Sequence, residues 1–210
     1  MTKRLLIYGD SNSFGTAPQG RLASRPVHPP GARWGDVLAS GLGEDWDVVI
    51  QGLPGRTTVL DDPVDGAFRN GLTVLPAILH SHEPIDVLAI CLGTNDQKHA
   101  FGLNAQDVAR CVARLVREAR LSGAVGVTLA IAPPPLRPAG DFAEMFSGAE
   151  TRGEGLSDRI RHFAGEEGAA FFDAGALIEV DPLDGIHWSE AAHGKLGRAL
   201  IDVVKGLAEQ

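Results

Sequence analysis

A serine, a histidine and an aspartate stand in sequence contexts that suit nucleophilic catalysis. Ser11 follows a short apolar run within Gly9-Asp10-Ser11-Asn12, and Asp184-Gly185-Ile186-His187 lies near the end of the chain. A serine hydroxyl is a weak nucleophile until a nearby base takes its proton, and imidazole titrates near neutral pH. Asp184 precedes His187 across a glycine-containing turn, so its carboxylate can fix the imidazole tautomer and stabilise the imidazolium. These residue types predict acyl transfer with Ser11 as nucleophile and His187 as base.

Two further polar blocks can supply hydrogen-bond donors to the oxyanion of a tetrahedral intermediate. Gly55 ends Gly52-Leu53-Pro54-Gly55, and Asn95 lies within Gly93-Thr94-Asn95-Asp96. The candidate donors are the backbone N–H groups of Ser11 and Gly55 and the side-chain amide of Asn95. Gly55 suits this role because the absence of a Cβ lets the backbone approach a substrate closely.

Short apolar runs alternate with helical patterns along the chain. This alternation is typical of right-handed crossovers and a parallel sheet, and predicts one three-layer α/β domain over residues 1–210. Strands are predicted at 4–8, 47–50, 85–92, 125–132 and 169–173, and helices at 34–42, 71–82, 105–121, 156–167 and 190–208. The prediction is a five-stranded parallel sheet flanked by helices.

The predicted strand order along the chain brings the polar blocks together. Ligands of open parallel sheets bind outside the carboxyl ends of the strands. The first three strands lead into Ser11, Gly55 and Asn95, and His187 falls between the fifth strand and the last helix. Four separate loops are therefore expected to meet at one edge of the sheet.

These blocks resemble those of the SGNH (GDSL-type) hydrolase family. Gly9-Asp10-Ser11-Asn12-Ser13 resembles the first family block, and the blocks containing Gly55, Asn95 and His187 match the second, third and fifth over essentially the whole chain. Arg56-Thr57-Thr58 and Asp61-Asp62-Pro63 resemble the arylesterase/acyltransferase branch. The resemblance implies a flavodoxin-like sheet, a Ser11–His187–Asp184 triad, and an oxyanion hole of Ser11, Gly55 and Asn95. It also implies short acyl, acetyl-type esters as substrates, no metal or cofactor, and often a homo-oligomer.

One residue departs from the family pattern beside the nucleophile. Asn12 stands where the family name has leucine, and we expect it to affect the polarity of the substrate pocket. Further residues expected to line the pocket are Asp10, Phe14, Thr94 and Trp188.

Other residues favour structural interpretations over additional sites. His193 is expected on a helix surface, and His80 and His82 point to different helix faces, which makes a poor metal pair. Asp61, Asp62 and Asp65 are expected to form a solvated acidic loop, with a cation site as the less favoured alternative. The loops at 16–32 and 133–153 are expected to wall the pocket, to contact a neighbouring subunit, or both.

Composition excludes several classes of partner. A net charge of −8 without a Lys/Arg cluster argues against nucleic-acid binding. The sequence has no apolar run long enough to span a membrane, and the apolar run at 5–8 is too short for a signal peptide, which favours a cytoplasmic location. No Gly-x-x-x-x-Gly-Lys-Ser/Thr loop is present, which disfavours nucleotide hydrolysis.

Three functional alternatives stay open from the sequence. An apolar, narrow pocket would let an alcohol compete with water, so transacylation is a hypothesis. A carbohydrate O-acetylesterase would use the same residues on a different substrate. A non-catalytic binding domain on the same fold is the alternative from another class.

Overall fold

The computed structural model describes residues 2–209 and contains one parallel sheet between two layers of helices. The strands are β1 (Lys3–Gly9), β2 (Trp46–Gly52), β3 (Ile85–Cys91), β4 (Val125–Ala132) and β5 (Ala170–Asp173). The α-helices are α1 (Ser11–Phe14), α2 (Trp34–Leu42), α3 (Gly71–His82), α4 (Ala105–Ser122), α5 (Phe142–Met145), α6 (Ala149–Arg152), α7 (Leu156–Glu166) and α8 (Glu190–Leu207). Short 3₁₀ turns span Ala67–Arg69, Asn95–Gln97, His99–Phe101 and Ala174–Ala176.

The sheet has the order β2-β1-β3-β4-β5, with every neighbouring pair parallel. This is the flavodoxin-like order of doubly wound folds, in which the strand order reverses next to the first strand. The predicted three-layer α/β fold with five parallel strands is confirmed. The carboxyl ends of β1, β2 and β3 are neighbours, so the loops that follow them meet at one edge.

Alternate residues of β1 enter two separate cores, which is why the domain has three layers. Leu5 and Ile7 pack with α2 and α8 on one face of the sheet. Leu6 and Tyr8 pack with α3, α4 and α7 on the other face. Because side chains of a strand point alternately to opposite faces, a strand that is buried throughout requires helices on both sides.

The structure differs from the predicted elements in two loops. The turn after β1 is the short helix α1, and the loop at 133–153 contains α5 and α6. The acidic segment is not wholly solvated, since Asp62 is buried and its carboxylate lies 2.6 Å from the Lys98 ammonium. Within residues 2–209, no helix is both long and apolar enough to cross a membrane.

Candidate active site

Ser11 is the first residue of α1, directly beyond the end of β1. The Asp10 carboxylate caps this helix by accepting a hydrogen bond from the Asn12 backbone N–H at 2.9 Å. The Ser11 carbonyl accepts hydrogen bonds from the N–H groups of Gly15 and Thr16, both at 2.9 Å, which closes the turn. The Ser11 hydroxyl makes no hydrogen bond to any residue of 2–209, and Ser11 lines a cavity. The hydroxyl is thus held on a tight turn at the cavity wall without a hydrogen-bond partner among residues 2–209.

His187 and Asp184 form a buried pair on the loop before α8. His187 Nδ1 lies 2.8 Å from Asp184 Oδ2, and both residues are almost wholly removed from solvent. A carboxylate only accepts hydrogen bonds, so Nδ1 carries the proton that the pair shares. The neutral imidazole then has its lone pair on Nε2, which is the atom a general base needs.

Four N–H groups donate to the Asp184 carboxylate. Oδ1 accepts from the backbone N–H groups of Ile186 and His187 at 2.9 Å each, and Oδ2 accepts from His187 Nδ1 and from the Gln19 backbone N–H at 2.8 Å each. Burial by itself raises the pKa of Asp184, but the hydrogen bonds and charge of His187 hold that pKa below its usual value. Asp184 is therefore an ionised partner for the imidazole.

The 184–187 turn is braced by the loop that follows β4. The backbone N–H groups of Arg137 and Ala139 donate to the carbonyls of Gly185 and Asp184 at 3.0 and 2.9 Å. Gly185 has φ +69°, and a methyl group on its Cα would lie 1.6 Å from the Arg137 carbonyl oxygen. Only glycine permits this close approach. The positions of the carboxylate and the imidazole therefore depend on the 133–141 loop as well as on their own turn.

Three predicted oxyanion donors line the same cavity. Ser11, Gly55 and Asn95 all belong to its wall. The backbone N–H groups of Ser11 and Gly55 donate to no acceptor within residues 2–209, and the Asn95 side-chain amide donates to the Arg56 carbonyl at 3.1 Å. Gly55 has φ +77°, a conformation that other residues rarely adopt.

Asp96 connects the segment that contains Asn95 to the segment that contains Gly55 through hydrogen bonds with Thr58. Its carboxylate accepts hydrogen bonds from the Thr58 backbone N–H at 3.0 Å and from the Thr58 hydroxyl. Burial raises the pKa of Asp96 to about 6 in spite of these bonds, and burial likewise raises the pKa of Asp10 to about 6. Both carboxyls sit at the strand ends with too few donors to offset the loss of water.

The cavity has a volume of about 570 Å³ and opens at the carboxyl edge of the sheet. Its wall is built from residues within 11–27, 53–55, 65–69, 95–98, 142–146 and 186–187. Phe142, which lies with its ring 5.5 Å from the His187 ring in an edge-on contact, forms part of an apolar side with Met145 and Phe146. The expectation that the loops at 16–32 and 133–153 wall the pocket is confirmed.

Several residues predicted to line the pocket lie elsewhere. Phe14 does line it, but Asp10, Asn12, Thr94 and Trp188 do not, and all four are buried. Asp10 is turned into the cap of α1, and the Trp188 ring packs in the core with His193 at a ring distance of 5.4 Å. Each of these four residues adjoins a cavity residue in sequence, but successive side chains on a turn point in different directions, so the neighbour does not reach the cavity.

Asn12 bridges the nucleophile turn and the His187 loop. Its side-chain N–H donates to the Ile186 carbonyl at 3.3 Å, and its side-chain oxygen accepts from the Trp188 N–H at 3.2 Å. The expectation that Asn12 sets the polarity of the pocket is wrong for this structure, because its amide is committed to backbone groups on both sides of His187. Asn12 instead connects the segments that carry Ser11 and His187.

The structure adds residues that the motifs did not indicate. The Gln19 backbone contacts Asp184, Phe142 contacts His187, and Arg69 lies against Gly55. These residues belong to irregular segments, where no periodicity marks which side chains point inward.

His193 was expected at the surface but is buried, and its Nδ1 accepts a hydrogen bond from the Trp34 N–H at 3.1 Å. The sequence pattern could have indicated this burial, because the helical spacing places His193 on the same apolar face of α8 as Leu196 and Leu200.

The fold and the cavity together define a class of protein. An open parallel sheet carries its ligands at the carboxyl edge. This edge holds an imidazole hydrogen-bonded to a carboxylate, together with a serine hydroxyl and backbone N–H groups that have no hydrogen-bond partner in the described part of the chain. Such a set is typical of α/β enzymes that hydrolyse acyl compounds.

Comparison with known proteins assigns the chain within that class. A model of the GDSL-like lipase/acylhydrolase family matches residues 7–195, so the chain belongs to this family and is an ester hydrolase. A comparison with curated protein sequences finds no significant match.

Solved structures agree with this assignment. Est24, a carbohydrate acetylesterase from Sinorhizobium meliloti, is 37% identical over 98% of this chain and 99% of its own, with a TM-score of 0.92. The aryl esterase from M. smegmatis is 36% identical over 98% of this chain and 99% of its own, with a TM-score of 0.89. The lipase/acylhydrolase from Enterococcus faecalis is 17% identical over 97% of this chain and 96% of its own, with a TM-score of 0.67, and shares the fold.

Proposed function

We propose that the chain is a serine esterase that hydrolyses short-chain, acetyl-type esters through an acyl-enzyme. Ser11 is the nucleophile, His187 is the general base and acid, and Asp184 orients the imidazole. The backbone N–H groups of Ser11 and Gly55 and the amide of Asn95 form the oxyanion hole. The reaction needs no metal or cofactor, and the whole chain acts as one domain.

The proposed reaction has two halves that use the same imidazole. His187 Nε2 removes the hydroxyl proton of Ser11 while Oγ attacks the ester carbonyl carbon, and the resulting oxyanion is bound by the three donors. The intermediate collapses to an acyl-enzyme, and the departing alkoxide takes the proton from the imidazolium. Water then attacks the acyl-enzyme with His187 as base, which releases the carboxylic acid and restores Ser11.

One observation carries this proposal. His187, whose Nδ1 lies 2.8 Å from the buried Asp184 carboxylate, lines the same cavity as Ser11, and the Ser11 hydroxyl makes no hydrogen bond within residues 2–209. The Asn12 bridge connects the backbone on both sides of His187 to the turn that holds Ser11. The Ser11 and His187 side chains make no hydrogen bond to each other. In many enzymes this hydrogen bond forms or shortens only when substrate is bound.

The test compares two serines of the same short helix. Ser11→Ala should abolish hydrolysis of p-nitrophenyl acetate, butyrate and octanoate and prevent labelling by a fluorophosphonate probe. Ser13→Ala is the matched control, because Ser13 is buried, its hydroxyl has no hydrogen-bond partner among the described residues, and it does not line the cavity. Wild type should cleave acetate and butyrate faster than octanoate. Failure of the probe to label Ser11 in a folded wild-type protein would favour the non-catalytic alternative.

A second candidate is an O-acetylesterase that acts on acetylated sugars. It is favoured by the similarity to Est24, which is a carbohydrate acetylesterase and matches over nearly the whole of both chains. Release of acetate from glucose pentaacetate and acetylated xylan, compared with the p-nitrophenyl series, separates the two candidates. A kcat/KM for a sugar acetate above that for p-nitrophenyl acetate would favour the second.

Two further properties belong to the proposal. The apolar side of the cavity around Phe142 and Phe146 supports transfer of the acyl group to an alcohol in competition with water. Ester formation in aqueous butanol tests this, and formation of acid alone would reject it. We also propose a homo-oligomer, which light scattering tests directly; a single species of 22.1 kDa would reject it.

A further inference from the structure

The cavity carries more basic than acidic side chains, although the chain as a whole has a net charge of −8. Arg25, Arg69 and Lys98 belong to its wall, and Asp65 is its acidic member. The Lys98 ammonium lies 2.6 Å from Asp62 and 3.1 Å from Asp65, so its charge is matched inside the protein. The two guanidinium groups therefore give the cavity a positive character that the composition does not indicate.

Arg69 is a partly buried guanidinium without a carboxylate partner. It forms no ion pair and its side chain makes no hydrogen bond within residues 2–209, and its Nε is shielded from solvent. Five arginines outside the cavity each form an ion pair with an aspartate or glutamate: Arg4, Arg33, Arg114, Arg117 and Arg120. Arg56 and Arg152 also have a shielded Nε without a partner within residues 2–209, but their Nη groups donate to backbone carbonyls. The Nη groups of this guanidinium are not among the shielded atoms, so their unpaired N–H donors can bind an acceptor that enters the cavity.

The position of Arg69 relates it directly to the proposed site of reaction. A methyl group on the Gly55 Cα would lie 1.9 Å from Arg69 Nη1, so the guanidinium rests against the residue whose N–H is an oxyanion donor. The Phe68 ring, 5.3 Å from Arg69 Cζ, lies beside it. Arg25 is exposed at the rim, where water and salt compete for its charge, whereas a partly buried guanidinium is screened much less.

We infer that Arg69 binds a carboxylate carried by the ester substrate, so that the enzyme prefers anionic short esters to neutral esters of the same size. The inference rests on the proposed function, because it requires the cavity to be the ester-binding site. A guanidinium binds a carboxylate through two parallel N–H···O bonds, which gives both affinity and orientation. The carboxylate lies within a few bonds of the ester carbonyl, either on the acyl group or on the alcohol, since Arg69 adjoins Gly55.

Two pairs of substrates test the inference and separate the two sources of the carboxylate. On the acyl side, mono-p-nitrophenyl succinate is compared with p-nitrophenyl 4-oxopentanoate. On the alcohol side, 4-acetoxybenzoate is compared with 4-acetoxybenzamide. We expect the wild type to favour the anionic member of at least one pair in kcat/KM by about tenfold, the size of one charge-assisted hydrogen bond.

Arg69→Gln should reduce that preference to near unity, because it should raise KM for the anionic ester more than KM for the neutral ester. Arg69→Lys should keep part of the preference, and added NaCl should weaken it. Arg198→Gln is the control, because it removes the same charge from an exposed residue of α8 that lies outside the cavity. The preference should survive in that variant.

The outcomes separate the two proposals. If wild type cleaves these esters but prefers neither anionic member, or if Arg69→Gln lowers kcat/KM equally for charged and neutral esters, the inference is wrong and the esterase proposal stands. If no ester is cleaved and the fluorophosphonate probe does not label Ser11, both proposals fail. Thermal unfolding of each variant confirms that the comparison is made on folded protein.

Discussion

Replacement of Asn12 by leucine tests whether the Asn12 bridge positions Ser11 and His187, the two groups that we propose for catalysis. Asn12 is buried, does not line the cavity, and makes one hydrogen bond to the Ile186 carbonyl and one to the Trp188 N–H. Leucine is close in volume but can make neither bond. The substitution therefore leaves one buried carbonyl and one buried N–H without partners.

The magnitude follows from those two backbone groups. Each buried backbone group that loses its partner destabilises the fold by about 1–3 kcal/mol, and burial of the leucine side chain offsets part of this loss. The free energy of unfolding of the variant should therefore be lower than that of the wild type by about 2–4 kcal/mol. The activity should fall as well, because a displacement of about 1 Å between reacting groups can cost about 100-fold. We expect kcat for p-nitrophenyl acetate to fall by about 10- to 100-fold with little change in KM.

The assays are urea unfolding, steady-state kinetics and the rate of fluorophosphonate labelling. Ser13→Ala serves again as the control, since it alters the same helix without removing a hydrogen bond. A variant that keeps kcat within about twofold and instead shifts the preference among acetate, butyrate and octanoate would refute the reasoning. That result would mean that Asn12 acts on the pocket and not on the position of His187.

Three further predictions address other parts of the site. Asp184→Asn should lower kcat by about 1,000- to 10,000-fold with KM nearly unchanged, because the neutral amide no longer fixes the imidazole tautomer; a loss below about tenfold in steady-state kinetics would contradict the assigned role. Phe142→Ala should raise kcat/KM for octanoate relative to acetate, because the ring that closes one side of the cavity is removed; an unchanged chain-length profile would argue against this wall. Burial lowers the pKa of His193 from its usual value of 6.5 to about 3. Between pH 6.5 and pH 3 the unfolded state therefore binds a proton at His193 that the folded state does not bind, and stability is lost as the pH falls through this range. This group should therefore lower the free energy of unfolding by about 3 kcal/mol between pH 7 and pH 4. His193→Asn keeps an acceptor for the Trp34 N–H and should flatten that dependence in urea unfolding across this pH range, whereas an equally steep dependence would show that His193 does not titrate in this way.

The sheet could be predicted from sequence because its signals are local. Apolar runs such as 85–92 and the amphipathic pattern of 105–121 identify strands and helices directly, and their alternation limits the topology to a parallel sheet. The polar blocks could be placed as well, because they directly follow strands whose carboxyl ends share one edge. The block before α8 was placed by the same argument. These predictions depend on spacing along the chain and not on side-chain direction.

Side-chain direction within irregular segments could not be predicted. Asn12 and Phe14 are two residues apart on a turn, yet Phe14 lines the cavity and Asn12 points to the His187 loop. No periodicity distinguishes them, since the turn lacks a repeating geometry. Phe142 and Gln19 likewise reach the site through long-range contacts that only the folded chain defines. The burial of Asp62 with Lys98 is of the same kind.

Asp10, Asp96 and Asp184 are buried at the carboxyl edge of the sheet, and their pKa values shift in different directions. Asp184 receives four N–H donors, and its pKa is held below the usual value, whereas burial raises the pKa of Asp10 and Asp96 to about 6. A carboxylate that is kept ionised by its donors can stabilise an imidazolium throughout a reaction cycle. Asp10 and Asp96 instead hold the turns of Ser11 and Gly55 through Asn12 and Thr58. Protonation of these two groups would weaken the turns without removing the charge on Asp184, the aspartate that we propose as the partner of His187.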